Sequence, residues 1–143
     1  MSILDINQKR KKLQIIKIMS VYLSVAILCI VINKIYAAFG HGVSSDAMTW
    51  MFLYPLMGGI LFFPLSGIMI PRISQFSGFR TFSNIYNSGV ATLTVGSFLR
   101  GIMDIAGTSS RYVIIYYQIG WFLIGCSIIL QTIHKYSKVH DIV

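Results

Sequence analysis

Four long runs of this chain, at residues 15–33, 48–70, 82–104 and 112–133, are apolar over most of their length, and most of the Lys, Arg and Asp residues fall outside them, in the terminal segments and the short connections. A bilayer crossing needs about 20 predominantly apolar residues, and each run is close to that length. What remains of the 143 residues is a basic segment at 1–14, three connections and a polar tail at 134–143, too little for a separate soluble domain. The pattern predicts an all-α integral membrane four-helix bundle, a single transmembrane domain over 1–143 with four transmembrane helices. Composition agrees. Only 11% of the residues are charged while 55% are hydrophobic, and a soluble domain would carry roughly 25–35% charged residues on its surface.

Charge placement predicts the orientation. Twelve Lys and Arg stand against four acidic residues, all of them Asp. With the N-terminus inside, the cytoplasmic set is Lys9, Arg10, Lys11, Lys12, Lys17, Arg72, Arg80, Lys135 and Lys138, whereas Lys34, Arg100 and Arg111 face outward. Positive charge collects on the cytoplasmic side of membrane proteins, so both termini are expected there, in a multi-pass protein of the cell membrane. The same bias argues against insertion in two opposite orientations. The net charge of +8 flanks apolar spans, which points to anionic lipid headgroups as the partner and not to nucleic acid. Lys9, Arg10, Lys11 and Lys12 are the expected headgroup contacts, at about 1 kcal/mol per cation. Trp50 and Tyr54, with Tyr112, Tyr116, Tyr117 and Trp121, form an aromatic belt at the outer interface.

Local signals refine the elements. The first run lacks the short core and small-residue cleavage site of a secretory signal, being followed by Asn33, Lys34, Ile35 and Tyr36, and reads as a retained helix. Residues 33–47 read as a loop in which Ser45 or Asp46 caps the second helix. Pro55, Gly58, Gly59 and Pro64 interrupt the second run and predict an inner helix kinked near Pro64. Pro71 ends it, and residues 106–110 form a turn before the fourth run.

The third run holds the polar groups. Ser88 and Gly89, Thr92, Gly96, Arg100 and Asp104 recur at three- and four-residue steps, with Asn84 and Asn87 at its start. Helical spacing puts them on one face. Such a face either packs against another helix, with interhelical hydrogen bonds of about 0.6 kcal/mol each, or lines a path. Arg100 and Asp104, one turn apart, are placed for an ion pair; alternatively they join His41 and Asp46 in a polar vestibule at the outer end.

Several chemistries lack their residues. The chain has no Glu, which removes the mechanism of the small multidrug-resistance transporters, dependent on a membrane-embedded Glu in the first helix. Cys29 and Cys126 are isolated, with no C-x-x-C pair for thiol redox chemistry. His41, His134 and His140 lie outside the spans, where they cannot face one another across a haem. No catalytic residue, metal or cofactor is expected. The chain therefore reads as a non-enzymatic accessory, regulatory or immunity-type subunit acting through helix–helix contacts with another membrane protein or itself. The alternative is a small channel or carrier for an ion or small solute, lined by the polar face of the third helix. A fluorescent protein fused after Val143 is expected to be bright and an exported phosphatase fused there inactive; the reverse pattern would refute the orientation.

Overall fold

In a computed structural model, the structure describes residues 3–40, 43–67 and 77–140. The regular elements among them are all helices: α1 (Ile3–Phe39), α2 (Asp46–Thr49), α3 (Leu53–Gly67), α4 (Ser77–Ile105) and α5 (Val113–His140). Helix α1 begins well before residue 15 and does not stop at 33. It runs unbroken through Lys9, Arg10, Lys11 and Lys12 at one end and through Asn33 and Lys34 at the other. The reason is local, because residues 3–39 contain neither Pro nor Gly and the basic segment is rich in good helix formers. At 37 residues it is about 56 Å long, well beyond a hydrocarbon core of about 30 Å. Helix α5 likewise continues through much of the expected tail.

The second run is divided. A single turn, α2, is followed by residues 50–52 and then by α3, so the break precedes Pro55, and α3 runs through Pro64 to Gly67. Pro55 lies in the first turn of α3, where a missing N–H is tolerated. The Met51 carbonyl, which residue 55 cannot serve, accepts the Tyr54 N–H at 3.3 Å. Between α4 and α5 the chain reverses at Gly107, whose φ of 66° is the left-handed conformation glycine adopts freely. Thr108 N–H donates to Met103 O at 3.0 Å and Gly107 N–H to Asp104 O at 3.2 Å, the Schellman pattern that satisfies the last carbonyls of a helix.

Successive long helices run in opposite directions, with α4 at the centre. A Cβ on Gly89 would stand 2.7 Å from Ile124 Cγ1 and 3.0 Å from the Gly120 carbonyl, and one on Gly120 would stand 2.6 Å from Leu93 Cγ. Only glycine permits α4 and α5 to come this close. On its other flank α4 meets α3 at Gly58, against Val90, and α2 at Gly101, against Met48. Helix α1 lies on α3, with Tyr22 over Gly58 and Gly59. Phe82, Tyr86 and Val90 form the buried cluster, with Ile18, Tyr22 and Ile124 packed around it.

Two stretches, Ile16–Phe39 and Val113–Leu130, are long and apolar enough to cross a membrane, yet only 11% and 17% of them is buried by the rest of the chain. In water such surface would be an aggregation liability; a lipid-facing helix requires it. Gly89→Ala is expected to lower stability by about 1–3 kcal/mol, because the obstructing Gly120 carbonyl is backbone and has no rotamer to escape to. Thermal unfolding in detergent should show this loss and leave Ser88→Ala, on the exposed neighbouring position, unchanged; equal behaviour of the two variants would refute the packing.

Candidate functional site

Most of the polar side chains singled out in the sequence gather at two ends of the bundle, and the better defined end is where α2 sits on α4. Ser45 occupies the N-cap position of α2, with extended backbone (φ −109°, ψ 131°) and no side-chain cap. Its carbonyl takes the Thr49 N–H and hydroxyl, each at 2.9 Å. Its own hydroxyl instead leaves the helix and donates to Asp104 Oδ2 on α4 at 2.7 Å. The expected capping side chain is thus a tie between helices. Asp46 is the first residue of α2 and is exposed, its carboxylate placed at the end of a helix that favours negative charge.

Two further contacts hold α2 in place. Ser97, buried on α4, donates to the Ala47 carbonyl at 2.6 Å, and Gly101 leaves room for Met48, whose Cβ lies 2.6 Å from where a side chain would begin. Beside them the Tyr54 hydroxyl neighbours Ser97 and Tyr117, within electrostatic reach of Arg100. The Tyr54 and Tyr117 rings lie 6.4 Å apart.

Arg100 is exposed at the rim. The partner of Asp104 is Ser45, and among the described residues no ion pair joins Asp104 to Arg100. The energetic reason is burial. A buried hydroxyl left without an acceptor costs about 1–3 kcal/mol, whereas an exposed cation keeps its solvation. His41 falls outside the described residues, so the vestibule expected from Arg100, Asp104, His41 and Asp46 is described only through the other three.

At the opposite end Tyr22 of α1 donates to Asn87 Oδ1, and Tyr86 donates to the Gly58 carbonyl at 2.9 Å. Asn84 and Ser88 are exposed. Thr92 and Thr94 turn their hydroxyls back onto the Ser88 and Val90 carbonyls of their own helix, at 2.7 and 2.8 Å. Gly96, with Gly89, packs on α5, against Tyr116. The stripe is therefore shared among several tasks and does not face one space. Among the described residues no buried side-chain nitrogen or oxygen lacks a hydrogen-bond partner. Lys9, Arg10, Lys11 and Lys12 lie on the backbone of α1. Cys29 and Cys126 are free thiols on different helices, and no cluster of three or more His, Cys, Asp or Glu suited to a metal occurs among the described residues.

The groups that sequence reasoning passed over are Tyr22, Tyr86, Ser45 as a tie, and Ser97. For Tyr86 and Ser97 the signal is a second helical series on α4, Tyr86, Val90, Leu93, Ser97 and Gly101, which repeats as regularly as the polar stripe and is buried throughout; Tyr22 and Ser45 lie on other segments and have no such signal. No protein-family model matches the chain, and neither does any curated protein or solved structure. The site is thus read from its own geometry.

Asp104→Ala, which leaves the buried Ser45 hydroxyl without its acceptor, is expected to destabilise the protein by about 1–3 kcal/mol, Ser45→Ala, which leaves only an exposed carboxylate, by less, and the double variant should be no worse than Asp104→Ala alone. Arg100→Gln should leave stability unchanged. Additive losses in that double-mutant cycle would show that the two side chains do not interact.

Proposed function

We propose that this chain is a multi-pass membrane protein of four crossings, with residues 1–14 and 134–143 on the cytoplasmic side, that works without catalysis as an accessory or regulatory subunit. Its partner is another membrane protein or a second copy, engaged through helix faces, while Lys9, Arg10, Lys11 and Lys12 engage anionic headgroups. The alternating direction of α1, α3, α4 and α5 supports the even number of crossings, and the cation bias supports the orientation.

One observation carries the reading over the channel or carrier alternative. Most of the polar groups along α4 are spent inside the chain: Asn87 on Tyr22, Ser97 on Ala47, Asp104 on Ser45, and Thr92 and Thr94 on their own helix, while Asn84, Ser88 and Arg100 stay exposed. A solute path needs polar groups left available to the solute, and most of those on α4 are already paired. The chain's own outer faces, chiefly on α1 and α5, are what it offers to others.

Water access along α4 separates the two readings. In a chain with Cys29→Ala and Cys126→Ala, single cysteines at Ser88, Ala91, Thr92, Val95 and Arg100 are treated with a membrane-impermeant thiol reagent in intact membranes. Labelling is expected at Arg100 and to fall at least tenfold by Val95 and Thr92. Uniform labelling from Ser88 to Arg100 would reveal a hydrated path and favour the channel or carrier.

A further inference from the structure

Helices α3 and α5 flank α4 on different sides and make no extended contact of their own. They run in the same direction, and near their first turns they are bridged by the Tyr54 and Tyr117 rings, 6.4 Å apart, beside the buried Ser97 of α4. Further along, the two walls stay apart. Helical spacing puts Met57 and Leu61 on the stripe of Tyr54, and Trp121 and Ile128 on the stripe of Tyr117, and all four are exposed. The result is an apolar cleft with hydroxyls at one end.

Arg100 stands at that end. On α4 it is one turn beyond both Gly96, which packs on Tyr116 of α5, and Ser97, which holds α2, so it lies on the line between the two walls. Its charge reaches the Tyr54 hydroxyl. Being about 6 Å beyond Gly96 along the helix axis, it is level with the start of α5 and the exposed Tyr112. That is the depth of the aromatic belt, which sits among lipid headgroups. Asp104, the carboxylate with the spacing to neutralise Arg100, accepts the Ser45 hydroxyl instead. Among the described residues no hydrogen bond or ion pair takes up the guanidinium. A guanidinium keeps its charge and offers paired donors that match two oxygens of a phosphate.

We propose that this is a phospholipid site: Arg100, with the Tyr54 and Tyr117 hydroxyls, holds a phosphate of the outer leaflet, and an acyl chain of the same lipid fills the cleft. The inference rests on the preceding reading that α4 crosses the bilayer with Arg100 outward, and it adds a headgroup contact on the side opposite Lys9, Arg10, Lys11 and Lys12. The cleft decides between a lipid and a free phosphate ion, which share the same chemistry at Arg100. A free ion has nothing to place against Met57 and Ile128, and it sheds water to reach the cation. A phospholipid sets its charge on Arg100 and its chain between the two walls at once, so apolar burial adds to the ionic contact. The phosphodiester is common to phospholipids, and the site reads that group and not what it carries.

The test uses the full chain in mild detergent, carrying Lys9→Gln, Arg10→Gln, Lys11→Gln and Lys12→Gln so that the cytoplasmic contact is removed. Native mass spectrometry after addition of phosphatidylglycerol is expected to show lipid retained on the chain. Arg100→Gln should lower the retained fraction about tenfold, the worth of a hydrogen bond to a charged group. Arg100→Lys, which keeps the charge without the fork, should fall between the two. Tyr54→Phe with Tyr117→Phe should lower retention about threefold. Diacylglycerol, which has the chains and no phosphate, should be retained as poorly as phosphatidylglycerol is by Arg100→Gln, and excess inorganic phosphate should leave bound lipid in place. An unchanged melting temperature without added lipid verifies that Arg100→Gln folds, and Arg100→Lys carries the test if it does not. Undiminished retention by the Arg100 variants, equal retention of diacylglycerol, or displacement of the lipid by inorganic phosphate overturns the site. Each of these leaves the accessory reading standing. A hydrated path along α4 would remove that reading and leave retention to decide the site by itself.

Discussion

The approach of α4 to α5 at Gly89 and Gly120 sets the spacing on which the other contacts depend. Helices in lipid gain little from burying apolar surface against one another, since lipid is equally apolar, and hold together through close van der Waals contact and a few hydrogen bonds. Both need short distances between backbones. With Gly89 and Gly96 against α5, the opposite flank of α4 presents Val90 to Gly58 and Gly101 to Met48. The central helix thus meets its neighbours on two sides, through glycine each time.

The hydrogen bonds between helices follow from those approaches. Tyr86 reaches the Gly58 carbonyl at the level where Val90 packs on Gly58. Ser97 and Asp104, which bind Ala47 and Ser45, bracket the contact of Gly101 with Met48. Widening either contact by one side chain would stretch a hydrogen bond past its useful length and leave a buried polar group unmet. Close packing and polar satisfaction are therefore one constraint, which is why the break at residues 50–52 is tolerated. The short α2 is secured by side chains of α4 as well as by its own turn.

What the bundle leaves uncovered shapes what it can do. Helices α1 and α5 keep most of their apolar surface outside the chain's own core. Among the described residues every buried side-chain nitrogen and oxygen has its hydrogen-bond partner, so the groups left unpaired lie on the periphery.

The all-helical character and two membrane-grade helices were legible in the sequence because length and apolar composition are properties of a segment by itself. Helix ends were less so. Asn33 and Lys34 read as the start of a loop, yet α1 passes through them, since polar residues do not stop a helix that lacks Pro and Gly. The candidate site was legible in its residues and not in its pairings. Arg100 and Asp104 have the spacing of an ion pair, but Asp104 serves Ser45, a residue 59 positions away that no local rule connects to it. On α4 the series through Ser88, Thr92 and Arg100 and the series through Tyr86, Leu93 and Ser97 share the same period, and periodicity cannot say which is buried. Sequence alone determined that this chain is helical, apolar and asymmetrically charged, because those are sums over neighbouring residues. Only the tertiary structure decided which face of α4 is the inner one and which hydroxyl meets which acceptor, because those depend on where glycines on other helices allow the backbones to touch.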